Sequence, residues 1–205
     1  MQKNIWWLLI IAVVGDFLVP YLLAPFYKGY SHKKQVMSVL GNPESPVKTL
    51  YNIWLIMLGI LLAISTLNIA KLYYTVSRCL TIALVISVLI FSIGAGILAG
   101  VFSVNKTKEI QTLASKIHGI GSALGFMALM FDPLFISILS FKQSYYIMWA
   151  VSGFSFILAS LFFILFIASD KKKFESTIIN NEGLWQRLSL LFMYIPFLFM
   201  ALSDI

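Results

Sequence analysis

Along the chain, apolar residues fall into six long blocks separated by five polar breaks. A bilayer core of roughly 30 Å takes about 20 apolar residues per helix. By that rule the blocks predict six spans, at about 5–24, 50–70, 79–104, 112–139, 145–168 and 184–205. Trp6 and Trp7 open the first as an interfacial belt, and Pro196 is expected to kink the sixth. In lipid every backbone polar group must find a partner inside the protein. The expected fold is therefore all-α, a polytopic membrane helix bundle forming one integral membrane domain with no internal repeat. Gly94, Gly96 and Gly100 on the third span and Gly119, Gly121 and Gly125 on the fourth predict close packing of those two helices.

Composition agrees with this pattern. Hydrophobic residues make up 60% of the chain and charged residues 11%, with a mean hydropathy of +0.92. A soluble domain is nearer half apolar and a quarter charged, so lipid must cover much of the surface. The first block is about twenty residues long and lacks a small-residue cleavage site, so it reads as a retained span. The single cysteine, Cys79, excludes a disulfide framework within the chain and any Cys-rich metal site. The net charge of +7 points to membrane lipids as partners. No basic stripe with interleaved aromatics stands outside the spans, which argues against nucleic acid. Two histidines and one distant cysteine fall short of the three protein ligands of catalytic zinc. Only His118 lies within a span, too few for a b-type haem, and no phosphate loop or nucleophile elbow is visible. No metal or cofactor is expected.

Polar residues gather on one side. The longest polar break between two spans, Gly29 to Pro46, carries Ser31, His32, Ser38 and Glu44. Asp16 lies eight residues before the end of the first span, about 12 Å below the same face. His118 sits just inside the fourth span, Gln186 and Arg187 open the sixth, and Asn52 opens the second. Ionisable groups inside a membrane are costly, usually face the bundle interior and pair with one another. Asp16 is expected to pair with Arg187 or with His118. Asp132, fourteen residues after His118, is expected near the opposite face. Ser31 and His32 adjoin in sequence, which suits loop chemistry better than a nucleophile and its base. Glu44 suits a solvated position or a cap, and the Lys171–Lys173 run a solvated cluster. Asn105-Lys106-Thr107 matches a glycosylation acceptor, at the level chance supplies.

Three motifs carry a resemblance. Tyr30-Ser31-His32 followed by Ser38-Val39-Leu40-Gly41, His118-Gly119 near the start of the fourth span, and Gly183-Leu184-Trp185-Gln186-Arg187 opening the sixth together resemble the bacterial membrane proteins of domain-of-unknown-function family 998. The likeness covers most of the chain in order and spacing. Where that family shows Phe-Pro-x-Asp after the third span, this chain has Phe102-Ser103-Val104-Asn105, so no carboxylate role carries over there. Gly41 to Ser45 also resembles, distantly, the first loop of DRAM-type and Sfk-type proteins, which are linked to lipid handling. Of the 15 basic residues, only Lys3, Lys71, Arg78 and Lys142 share a face with the termini, and the raw count puts the other face in the cytoplasm. The resemblance implies the reverse, with both termini cytoplasmic in a bacterial cell membrane. Lys71, Arg78 and Lys142 favour it, because they sit in very short turns.

These residues lead to one expectation and two alternatives. The expectation is a polar pocket under the first loop that binds a lipid or amphiphile with an anionic headgroup. Arg187 would hold the anion, His118 would hydrogen-bond it, and Asp16 would orient one of them. The alternatives are a lipid-modifying enzyme with His118 as catalytic base and a small-solute transporter. Against transport stands the absence of paired interrupted helices.

Overall fold

The computed structural model describes residues 3–105 and 112–204. Among them lie seven main helices: α1 (Lys3–Leu23), α2 (Lys48–Tyr73), α3 (Arg78–Phe91), α4 (Leu113–Leu129), α5 (Asp132–Lys142), α6 (Tyr146–Ser169) and α7 (Glu182–Asp204). A π-helical segment, Ser92–Leu98, and a last turn, Ala99–Val101, prolong α3. Six segments are long and apolar enough to cross a membrane, and no more than 50% of each one's most apolar window is buried. The outward side chains are themselves apolar, such as Ile82, Ile86 and Ile90 along α3 and Ile157 and Ile164 along α6. Only lipid covers such a surface without cost. The protein is an all-α, polytopic integral membrane protein. Lys106, Lys108 and Glu109, the Lys106-Thr107 part of the glycosylation motif and the final residue of the sixth span lie outside the described residues.

Two boundaries differ from expectation. The third span leaves the helix after Val101 rather than at 104. The fourth is two helices, because Pro133 has no N–H to offer the carbonyl of Leu129 and its ring crowds that oxygen. α4 accordingly ends at Leu129 and α5 begins at Asp132. Since α5 runs on to Lys142, Asp132 lies ten residues, roughly 15 Å, from its end. It is fully buried and set back by that length of helix, rather than beside the face as expected.

The six spans form a ring in chain order, each packed on the next, and α7 closes it against α1. The expected tight seam between the third and fourth spans is present at Gly94 and Gly121, whose backbones touch and leave no room for a Cβ. Gly96 and Gly100 instead face α2. Two residues on along the π-helical segment, Gly96 points to the other side from Gly94, and its Cβ position lies 2.7 Å from Gly59 Cα. The ring is not uniform. α5 packs on both α3 and α6, whereas α4 packs on α3 and its π segment. α4 reaches α6 through Phe126 and Phe166, whose rings are 6.1 Å apart. The fourth span thus seals the ring in the half nearer the chain termini and stands off from α6 in the other half.

Candidate functional site

Residues 24–47, the first loop, cap the open half. Their composition is polar, and they satisfy their own backbone. Tyr30 N–H donates to the Tyr27 carbonyl, Gln35 N–H to the Ser31 carbonyl, and the Gln35 side chain accepts from Ser31 N–H at 2.8 Å. Ser31 Oγ accepts from Lys34 N–H, so it serves the turn. Buried Asn42 is the keystone that the sequence reading passed over. Its amide donates to Tyr27 Oη and the Val39 carbonyl, and its Oδ1 accepts from Glu44 N–H. Glu44 itself lies on the exposed outer side of the loop.

The loop is clamped to the start of α7 by residues of two motifs that lie about 150 positions apart. Arg187 Nη1 donates to the carbonyls of His32 (2.7 Å), Gln35 (3.1 Å) and Gly183 (2.7 Å). Its Nη2 donates to Tyr30 Oη at 2.6 Å and lies 3.3 Å from His32 Nδ1. Gln186 Oε1 accepts from Met37 N–H at 2.8 Å, and Leu184 N–H donates to the Lys33 carbonyl. Gly183 makes this approach possible, since a Cβ there would run into the carbonyl oxygens of Gln35 and His32. His32 stacks on Tyr21 at 5.6 Å and meets the edge of Tyr30 at 5.3 Å. Partial burial, and then the nearby Arg187 cation, hold its pKa below the ordinary 6.5. Burial pushes the Tyr30 hydroxyl above its ordinary 10.0.

Under the cap lies a cavity of about 320 Å³. Ser38, Gln186, His118 and Asp16 line it, as do Tyr51, Ser122 and Glu182. Much of the remaining wall is apolar, including Phe91, Phe126, Phe163 and Phe166. On the side where α4 stands off from α6 its wall includes Gly119, Ala123 and Met127, all exposed, with exposed Ile167 opposite. A Cβ at Gly119 would meet nothing within 4 Å. Of the nine expected site residues, Asp16, Ser38, His118 and Gln186 therefore share one cavity. Ser31, His32, Glu44 and Arg187 belong to the cap above it. Asn52 joins the cap to the end of the third span, donating to Ser103 Oγ at 3.1 Å and to the Gly41 carbonyl at 3.4 Å.

The expected ionic pairings within this group are replaced by other partners. Asp16 Oδ2 accepts from Tyr194 Oη at 3.0 Å, deep in the bundle. Nothing in the sequence marked Tyr194, because an aromatic residue in an apolar block reads as packing. Pro20, four residues on, withholds the N–H that would have bonded the Asp16 carbonyl, so the first span is locally short of donors here. His118 Nδ1 lies 2.8 Å from the Phe102 carbonyl and 3.2 Å from that of Ala99. Both are acceptors, so Nδ1 carries the hydrogen and Nε2 remains the atom with capacity for the cavity. Those carbonyls are among the orphans that end every helix, so His118 caps the third span from its neighbour. Asn105, where the resembled family has a carboxylate, donates to Ser115 Oγ at 3.1 Å beside the Thr112 capping box of α4.

Among the described residues no three His, Cys, Asp or Glu side chains group as a metal site. No curated protein and no solved structure matches the chain, and the distant likeness to DRAM-type and Sfk-type proteins finds no match. A family model does match, over residues 10–203, nearly the whole length, and the three motifs that first suggested it supply both sides of the clamp and one wall of the cavity. The chain belongs to the protein family of unknown function DUF998.

Proposed function

We propose that the protein binds a single-chain amphiphile, with its head on the polar groups of the cavity and its chain leaving between α4 and α6. The observation that carries this reading is the shape of the site. A largely apolar cavity with a few polar groups in its wall, Asp16, Ser38, His118 and Gln186 among them, lies beside the place where α4 stands off from α6. Its 320 Å³ falls at the small end of ligand pockets, which suits one chain better than two. The expected anionic headgroup depended on Arg187, whose guanidinium is engaged by loop carbonyls. The lining offers acceptors instead, Asp16 above all, and fits a head that donates hydrogen bonds, such as a hydroxyl or an amine. Purified protein in nanodiscs, titrated with a long-chain amine, a monoacylglycerol and a fatty acid, tests this. The first two should bind and the fatty acid should bind at least tenfold more weakly, about 1.4 kcal/mol. A preference for the fatty acid would overturn the assignment of the head.

A second reading, catalysis, is favoured by the held tautomer of His118, which leaves Nε2 poised as a general base. Turnover of a labelled single-chain ester that His118→Gln abolishes, with melting temperature retained, would move the protein into the enzyme class.

We further infer a bacterial cell membrane with both termini cytoplasmic, supported by Lys71, Arg78 and Lys142 in the short turns. Cys79 is exposed on the terminal face, so a membrane-impermeant maleimide should leave it unlabelled in intact cells and label it after lysis.

A further inference from the structure

A second buried polar group lies in the closed half of the bundle, away from the cavity. Asp132 opens α5 and is 0% exposed. Neither of its carboxyl oxygens has a hydrogen-bond partner. Ser87 of α3 faces it, its buried hydroxyl near enough to stabilise the carboxyl but short of a well-formed hydrogen bond. Among the described residues, no basic side chain compensates it from the helices packed around. The ionisable residues of α3 are Arg78 and Cys79, at the helix start, and α6 has only Tyr146, in its first turn. On α7, Glu182 and Arg187 belong to the opposite half, Tyr194 donates to Asp16, and Asp204, an acid, closes the helix ten residues beyond Tyr194. The remaining ionisable group of α5 is Lys142, ten residues away.

Magnitudes decide the state of this group. An ionised carboxylate is costly in an apolar interior, and the single Ser87 hydroxyl beside it offsets only part of that cost. A helix N-terminus returns only a small part of that cost. The neutral acid needs only one acceptor, and Ser87 Oγ is beside it. The path outward is not wholly apolar. Ser137 and Ser140 follow on α5 towards the terminal face, both buried, and Ser140 Oγ lies 3.2 Å from Tyr73 Oη.

We propose that Asp132 is a proton-exchange site, holding its proton while the α3–α5 seam is closed and releasing it towards the terminal face when that seam admits water. In the release step the carboxyl O–H bond breaks, the proton passes to a water oxygen, and the carboxylate left behind is solvated by the admitted water. This site is independent of the amphiphile cavity, and either can fail without the other.

Full-length protein in nanodiscs is treated with dicyclohexylcarbodiimide, an apolar reagent that reacts with protonated carboxyls, and the labelled residue is located by peptide mass spectrometry. Asp132 should be labelled at about pH 6, at least about tenfold less at about pH 9, and Asp132→Asn should remove the label. The infrared carbonyl band of a carboxylic acid, taken as wild type minus Asp132→Asn, needs no reagent access and should fade over the same range. Labelling and band that stay constant with pH would make Asp132 a permanently neutral packing residue and overturn the proposal. So would labelling suppressed by sodium at fixed pH, which would make the site one for a metal cation. Absence of both label and band would overturn it as well.

Discussion

The two halves of this bundle treat their ionisable side chains in opposite ways. Towards the first loop these side chains are held by backbone and hydroxyl partners: Arg187 holds three carbonyls and a hydroxyl, and His118 the end of the third span. Towards the termini the ring is closed, yet Asp132 faces Ser87 without a well-formed hydrogen bond. The contrast teaches that the most charged-looking end of a membrane protein can be its scaffold. Arg187 and Asp132 have similar rarity in sequence, but one is an anchor and the other a group whose state must change to be satisfied.

The comparison breaks most readily at the clamp. Gly183→Val would force the backbone of the first loop off α7 and leave the carbonyls held by Arg187 exposed to lipid or to partial hydration. At about 1–3 kcal/mol per unsatisfied buried group, we expect a loss of several kcal/mol, read as a lowered melting temperature and rapid protease cleavage within residues 24–47. Tyr194→Phe should cost less, about 1–3 kcal/mol, because it strips one donor from Asp16 and leaves the clamp whole. Gly119→Trp sharpens the contrast from the other side. Its side chain enters open space, so melting should shift little while amphiphile affinity falls at least about tenfold. A large loss of stability would mean that the space beside Gly119 is filled in the membrane.

The smallest effect concerns pH. His32 titrates below its ordinary 6.5 because burial and then Arg187 disfavour its charged form. The unfolded chain therefore binds the proton more readily, and stability rises with pH across the window just below 6.5. Protease protection of the first loop should weaken as pH falls through that window, and His32→Gln should abolish the dependence while keeping protection at neutral pH. No dependence in the wild type would place His32 outside the clamp's energetics.

What was legible in the sequence follows from what the bilayer demands. Six blocks of about twenty apolar residues have no alternative to spanning helices, and the observed segments match them. The glycine seam was half legible: the small residues were visible, but not which neighbour each would meet, since Gly94 and Gly96 point to different helices. Asp16, His118 and Gln186 were brought together by depth alone, a one-dimensional argument that fixes level but not direction. It could not say that Arg187 would turn up into the loop, nor that Tyr194 would supply the partner of Asp16. Asn42 was missed because an asparagine in a polar loop looks solvated, and only the fold shows it buried.

The joint at Met130 and Phe131 has a mechanical consequence. Because α4 leans on the glycines of the third span and α5 leans on α6, the angle between them sets how far the cavity wall stands from its neighbour. A rocking of the upper segment about that joint would widen or narrow the entry while the lower segment keeps the membrane sealed, so an occupant could come and go sideways without opening a leak from one side of the bilayer to the other.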